Sequence, residues 1–336
     1  MTYEKIILVT RKTRLEGLVE RFNTKAQARF YINQSARHSA GKNSAYSQTK
    51  NDAGHPDAGH PDAFAFYERE HDTYYTAVET LHQSLEPLAK VQAIERSFLP
   101  NFLFAPTDLV VTIGIDGLVV NTAKYLDGQP IIAVNPDPKN VDGILLPFNV
   151  ATAPGAARKA LSGAGRVTPI TMAEARLNDG QTLLAFNDLF IGVRTHVSAR
   201  YRIQWGAQAE NHSSSGLIVS TGAGSTGWLS SLFNMANGMV KAFGEESGSG
   251  AVTAPHLGWD TGSLLFVVRE PFISKTSGAG IVCGAITSQT PLTLESHMPE
   301  GGVIFSDGVE ADYLQFNSGA IATIGIAAKK TNLVVG

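Results

Sequence analysis

The chain has 336 residues, enough for two domains with a core in each, and 43% of them are apolar, which excludes a disordered chain. A formal charge of −3 provides no electrostatic footprint for nucleic acid or for an anionic membrane. Cys283 is the only cysteine, so an internal disulfide and a thiolate metal cluster are both excluded.

The opening segment, Met1 to Thr10, has an apolar run too short for a signal peptide or a membrane span. No later run reaches the about 18 apolar residues that a spanning helix needs. The expected compartment is the cytoplasm, with no membrane partner. Ile6–Val9 reads as a short buried strand. Thr13 and Glu16 have capping-box spacing, and Leu15, Leu18, Val19 and Phe22 then fall on one helical face. Ala28–Ile32 reads as a second strand, which makes a strand–helix–strand opening of a parallel sheet. Residues 35–63 are rich in Ser, Asn, Gly and His and contain a tandem repeat, Ala53-Gly-His-Pro-Asp57 and Ala58-Gly-His-Pro-Asp62. His55, Asp57, His60 and Asp62 offer a metal-site reading. The Gly-Pro content and the lack of an apolar anchor favour a flexible surface insertion.

Tyr75, Val78, Leu81, Leu85 and Leu88 mark a helix by their spacing. Asp108–Ile113 is a continuous apolar run of the kind found in strands buried on both faces. Gly114-Ile-Asp-Gly117 breaks it, Leu118–Leu126 resumes a helical pattern, and Pro130–Val134 is another buried strand. The first domain, 1–150, is therefore expected to be α/β with a doubly wound, mostly parallel sheet. Ligands of such sheets sit beyond the carboxyl ends of the strands, which points to the loop at 114–117. From 151 to 318 the pattern is β-rich. Arg200–Trp205 alternates strictly, with Tyr201, Ile203 and Trp205 on one face, and Leu264–Val268 reads as a strand. Asp307-Gly308 suits a tight hairpin turn, and Glu245–Gly250 reads as a loop. The segment 319–336 reads as a final strand and tail, with a return to the first domain as one option.

Three segments carry the candidate chemistry. Asp116 is a carboxylate flanked by glycines at the end of a central strand. It is placed either to accept a hydroxyl proton or to hold Mg²⁺ against phosphates; an ordinary Asp-Gly turn is the structural alternative. Asn187-Asp188 puts two polar side chains inside the apolar run Leu183–Val193, where they either close a turn or meet a ligand. Gly222-Ala-Gly-Ser-Thr-Gly227 follows the apolar strand Gly216–Ser220 and precedes a helix around Trp228–Val240. It matches the G-x-G-x-x-G fingerprint, with Glu245 and Glu246 at a distance that suits a ribose partner, so an NAD-dependent dehydrogenase is one reading. Its late place, in β-rich sequence and crowded with Ser220, Thr221, Ser225 and Thr226, argues against that reading. No G-x-x-x-x-G-K-[ST], H-E-x-x-H or protein-kinase motif occurs. His71, His82, His196, His212, His256 and His297 show no ligand spacing.

Taken in order, these segments resemble the NAD kinase family, relatives of the diacylglycerol and sphingosine kinases. Gly114-Ile-Asp-Gly-Leu118 is similar to that family's Gly-Gly-Asp-Gly-Thr, and Asn187-Asp188 to its Asn-Glu or Asn-Asp. Ser215-Gly-Leu-Ile-Val-Ser-Thr-Gly-Ala-Gly-Ser-Thr-Gly-Trp228 resembles Asp-Gly-Leu-Ile-Val-Ser-Thr-Pro-Thr-Gly-Ser-Thr-Ala-Tyr, and Asp307-Gly308 a late Asp-Gly hairpin. The resemblance runs from about residue 105 to the C-terminus. It implies transfer of phosphate to the adenosine-side 2′-hydroxyl of NAD, giving NADP, at a site between an α/β domain and a β domain. By that resemblance Asp116 deprotonates the hydroxyl beside Gly117, and Asn187 and Asp188 contact the dinucleotide. Thr226, Gly227, Trp228 and Ser231 line the nucleoside pocket. Mg²⁺ enters with ATP or polyphosphate, no side-chain metal ligand is assigned, the partners are NAD(H) and the phosphate donor, and a homodimer or homotetramer is implied. Ile115 and Leu118 depart from the first motif, Ser215 replaces an aspartate, and Gly222-Ala223 replaces Pro-Thr. A branched side chain at 115 bears directly on phosphate approach; Lys124 is either a compensating phosphate contact or, the more ordinary role for such a residue, a solvated lysine. The other readings are a catalytically silent NAD(P)-binding or sensory protein and a related kinase acting on another hydroxyl.

Overall fold

The computed structural model describes residues 3–40, 63–243, 252–253, 255 and 257–336. The chain divides into two compact units, one of Met1–Tyr125, Gln129–Val167 and Val334–Gly336, the other of Leu126–Gly128 and Thr168–Leu333. The tandem repeat with His55, Asp57, His60 and Asp62 lies outside the described residues, as do Glu245, Glu246 and the 245–250 loop.

The first unit is built on a parallel sheet. Its strands are β1 (Lys5–Thr10), β2 (Lys90–Glu95), β3 (Asp108–Ile113), β4 (Pro130–Asn135) and the short β5 (Phe148–Asn149), in the spatial order β5-β4-β3-β1-β2. Between them run α1 (Arg14–Phe22), α2 (Lys25–Ala40), α3 (Phe64–Leu85) and α4 (Asp116–Ala123), and α5 (Ala153–Leu161) follows β5. Every residue of β3 and β4 is buried, as expected of central parallel strands covered on both faces. Ile6, Leu8, Leu109, Val111, Ile113, Ile132 and Val134 form one core with residues of α3 and α5. The capping box forms at α1, where the Thr13 hydroxyl accepts the Glu16 N–H and the Glu16 carboxylate accepts the Thr13 N–H.

Three readings of this unit are corrected. Ala28–Ile32 is not a strand but part of α2, with Ala28 buried and Phe30 and Tyr31 exposed. Five residues are too few to separate period 2 from period 3.6, and the Thr24 hydroxyl caps the helix by accepting the Gln27 N–H. The strand that pairs with β1 on that side is β2, a mostly exposed edge without an apolar pattern to announce it. On α3 the inward residues are Tyr74, Ala77, Leu81 and Leu85, whereas Tyr75 is exposed. Residues 35–40, assigned by composition to an insertion, are helical.

The second unit is β-rich. One sheet has the order β10 (Gln208–Ser214), β9 (Ala199–Trp205), β14 (Leu292–Ser296), β17 (Ile321–Val335), and β6 (Arg166–Leu177) joins β17 to β7 (Thr182–Ala185). The other runs β13 (Cys283–Ile286), β12 (Leu264–Val268), β11 (Leu217–Ser220), β8 (Asp188–Val193), β15 (Gly302–Ser306), β16 (Val309–Gln315), and its mapped pairings are antiparallel. A single apolar core draws on both sheets, including Tyr201 and Ile203 of the alternating β9. After β11 a 3-10 turn, Ala223–Thr226, leads into α6 (Trp228–Phe243). Among the described residues no helix is long and apolar enough to cross a membrane.

Candidate active site

In the first unit the chain leaves β3 at Ile113, turns at Gly114 and Ile115, and enters α4 with Asp116 as its first residue. Tyr74 of α3 fixes this exit. Its hydroxyl donates to the Ile113 carbonyl at 3.1 Å and accepts the Arg11 N–H at 2.8 Å, so the carboxyl ends of β1 and β3 are tied to one buried side chain. Burial pushes the Tyr74 phenol up to about 12, so it stays protonated as that linker. Ile115 is the N-cap of α4 and supplies no side-chain hydrogen bond to the helix start. Its side chain is 42% exposed at that end.

The half-buried Asp116 carboxylate accepts the Ile144 N–H at 3.2 Å on one oxygen and the Leu145 N–H at 3.1 Å on the other. Each oxygen keeps a second lone-pair direction, so both retain acceptor capacity. Burial raises its affinity for a proton, the two amides oppose that, and Asp142 adds repulsion; the net effect lies above the usual carboxylate range. Gly117 follows, and a Cβ built there would meet no atom within 4 Å. Packing does not require a glycine at 117, and its absent side chain leaves the start of α4 bare.

In the second unit Asn187 and Asp188 lie where β7 ends and β8 begins, so the apolar run is two strands joined by a turn. The Asp307 carboxylate closes that turn, accepting the N–H groups of Phe186, Asn187 and Asp188 at 3.0, 2.7 and 3.2 Å. Asp307 itself sits at φ 55 beside Gly308 at φ 68, a two-residue hairpin between β15 and β16. The Gly-rich turn packs on the same point. The Thr221 hydroxyl donates to the Phe186 carbonyl and accepts the Gly224 N–H, and a Cβ at Gly224 would lie 2.1 Å from the Asn187 carbonyl oxygen. Gly224 is a glycine because one backbone presses on another there. β11 is antiparallel to both of its neighbours, so this turn is not the phosphate loop of a βαβ unit, and the dehydrogenase reading has no structural support.

Asp188 and Trp228 line a cavity of about 460 Å³ together with Phe190, Phe305, Arg194 and Arg269. Burial, and then Asp307, raises the Asp188 carboxyl to about 7. Asn187 Oδ1 is buried and takes no hydrogen bond from the described residues. Thr226 and Gly227 are exposed ahead of α6, and the Ser231 hydroxyl turns back to the Gly227 carbonyl at 3.4 Å. None of these three, nor Asn187, is among the cavity's lining residues. The sequence reading missed Phe190, Phe305 and Arg269. Phe190 was within reach, because it shares the parity of Asp188 on β8 while Leu189 and Ile191 fill the core.

A parallel α/β unit with a glycine-flanked carboxylate at a strand end, followed in the chain by an antiparallel β unit with a Gly-rich turn, defines a two-unit α/β-plus-β fold. Comparison with solved structures gives that fold its family: it is the fold of NAD kinases. Yeast NADH kinase complexed with NADH superposes with a TM-score of 0.57 at 13% identity, covering 100% of this chain and 84% of that chain. An NAD kinase from Archaeoglobus fulgidus in complex with ATP superposes with a TM-score of 0.54 at 17% identity, covering 76% of this chain and 88% of that chain. No protein-family model and no curated protein sequence matches the chain.

Proposed function

We propose that the chain is an NAD kinase-type phosphotransferase that moves a phosphate from ATP or polyphosphate to the 2′-hydroxyl of the adenosine ribose of NAD(H), giving NADP(H). One observation carries the reading: Asp116 stands at a bare helix start, and burial has raised its basicity. Such a carboxylate suits acceptance of a hydroxyl proton as the oxygen attacks phosphorus, since a general base works best with its pKa moved toward the working pH. The start of α4, with Gly117 open, suits phosphate oxygens at its N–H groups. In the second unit the cavity beside Asp188 and Trp228 suits a nucleoside. The two neighbours, one crystallised with NADH and one with ATP, support the same substrate pair.

Among the described residues no three His, Cys, Asp or Glu side chains converge as a metal cage. Mg²⁺ needs none, because it is commonly held by one or two carboxylates and the substrate's phosphates, and Asp116 with its remaining lone pairs fits that share. When bound, the ion supplies charge neutralisation on the donor's phosphates. The other reading, a silent dinucleotide binder, is favoured by one feature: the exposed Ile115 side chain at the end of α4 where phosphate would approach.

The deciding experiment incubates the purified chain with NAD⁺ or NADH, Mg²⁺, and ATP or polyphosphate, and measures NADP(H) enzymatically. Product that disappears with Asp116→Asn is expected. No product from the wild-type chain with any donor, alongside retained dinucleotide binding, would hand the assignment to the silent binder.

A further inference from the structure

The loop that carries the Ile144 and Leu145 amides to Asp116 hangs on one side chain. Asn135, the last residue of β4, is 5% exposed, and both polar ends of its side chain bond to main chain. Its Oδ1 accepts the Asp137 N–H at 2.9 Å, and its Nδ2 donates to the Val141 carbonyl at 2.8 Å. The first bond is an Asx turn, which an aspartate would make equally well. The second crosses the loop to a residue six positions on and needs a donor, which an ionised aspartate lacks.

Gly143 joins this anchor to the amides. It turns at φ 60, and a Cβ there would lie 2.9 Å from Asn135 Nδ2 and 2.8 Å from Leu146 Cδ1. The chain therefore passes Asn135 with no side chain between them, in a backbone state that glycine adopts without strain. Leu145 and Leu146 are buried just beyond, and the Leu146 N–H donates to the Gly143 carbonyl at 3.0 Å. Held in this way, Ile144 and Leu145 direct one N–H to each Asp116 oxygen. The same strand end fixes the other side, since the Val134 carbonyl accepts the Gly114 N–H at 3.1 Å. Residues 134 and 135 thus hold both the turn that leads into Asp116 and the two donors that its carboxylate meets.

We infer that Asn135 is a positioning residue for Asp116: by anchoring the 137–145 loop it keeps two amides on the carboxylate and so fixes where the remaining lone pairs face. The inference rests on the kinase reading above for the use made of that carboxylate.

Amide NMR of the full chain, together with the kinetics of NADP(H) formation, tests it. In the wild-type chain the Ile144 and Leu145 amide signals should move with the ionisation of Asp116, and in Asp116→Asn that movement should vanish. Asn135→Leu, close in volume, removes both anchoring bonds, and the two amides should lose most of this pH dependence. Its kcat should fall at least about tenfold while the KM for NAD(H) stays within about threefold. Asn135→Ser keeps a hydroxyl for the Asp137 N–H but gives up the bond to Val141, so the same changes are expected in smaller measure. Asn140→Ala, in the same loop, removes only a side-chain bond to the Asp137 carboxylate and should change neither readout. A role in folding alone would lower the melting temperature and leave the amide response of the folded variants intact. That result, or wild-type amides that ignore Asp116, would overturn the inference, and Asn135→Ser decides should Asn135→Leu fold poorly. A wild-type chain that forms no NADP(H) removes the kinase reading, and the amide response then decides this one alone. Full activity in Asn135→Leu with unchanged amides does the reverse.

Discussion

The loop after β3 and the turn between β7 and β8 solve the same problem, presenting a carboxylate that is neither free in water nor locked in a salt bridge, by opposite means. At Asp116 the work is local: a buried strand ends, a glycine turns the chain, and the next helix starts on the functional residue. From elsewhere in the sequence come the Tyr74 hydroxyl at the Ile113 carbonyl and two amides from residues 144 and 145. At Asp188 nearly every constraint is distant. The turn is closed by Asp307, more than a hundred residues away, and packed by Thr221 and Gly224. Local construction makes a site sensitive to its own few residues. Distributed construction ties the site to the stability of the whole unit.

Substitutions should therefore separate activity from stability differently in the two places. The largest effect is expected at Asp116: Asp116→Asn should lower NADP(H) formation by about 10²–10⁴-fold, the usual range for a general base, with the melting temperature near that of the wild-type chain. A large fall in melting temperature would mean that the carboxylate serves the 144–145 turn rather than chemistry. At the other site Asp307→Ala should show the reverse pattern, because it leaves three N–H groups without their acceptor. A loss of about 3 kcal/mol in urea unfolding is expected, with about half of that in Asp307→Asn, whose side-chain oxygen still accepts.

The pH dependence sharpens the comparison. The Asp188 carboxyl is raised to about 7 by burial and by Asp307, so the folded chain keeps a proton that an unfolded aspartic acid releases near pH 4. The cost of ionising it in the fold is absent below about pH 4, grows as pH rises, and is complete above about pH 7. Asp188→Asn should remove this slope, stabilising the chain at pH 8 relative to pH 5 by on the order of 2–3 kcal/mol. Parallel curves for the two proteins would place the Asp188 charge elsewhere in the balance.

The smallest effect of all is expected at Gly117, and set beside Gly224 it distinguishes the two construction modes most directly. Gly117→Ala adds a methyl group where nothing stands within 4 Å, in the first turn of α4. Its stability should stay level or rise by about 0.5 kcal/mol, while phosphate transfer falls because the helix start is no longer bare. Gly224→Ala forces a methyl group onto the Asn187 carbonyl and should cost about 2 kcal/mol or more. Thermal melts of the two variants with parallel assays check both; equal losses of stability would contradict the contrast.

How much of this was legible in the residues depends on the same distinction. The central strands β3 and β4 were readable because burial on both faces leaves an unbroken apolar run, and β9 because burial on one face leaves strict alternation. The strand–turn–helix around Asp116 was readable for the same reason, since its elements are contiguous and its glycines adjoin the carboxylate. The edge strand β2 was not, because six largely exposed residues owe their strand conformation to pairing with β1 rather than to their own pattern. Ala28–Ile32 misled for the complementary reason, a short aromatic run whose helical state is set by its capped neighbours.

The sequence by itself determined where buried strands lie, where they stop, and that a carboxylate, an Asn-Asp pair and a hydroxyl-rich Gly turn follow one another, because burial and turn chemistry act between near neighbours. Only the tertiary structure decided that Asp307 closes the Asn187-Asp188 turn, that Gly224 exists to let two backbones touch, and that Arg269 lies over the Trp228 ring. Those contacts join segments between about 40 and 120 residues apart, and no local periodicity encodes which distant group will meet which.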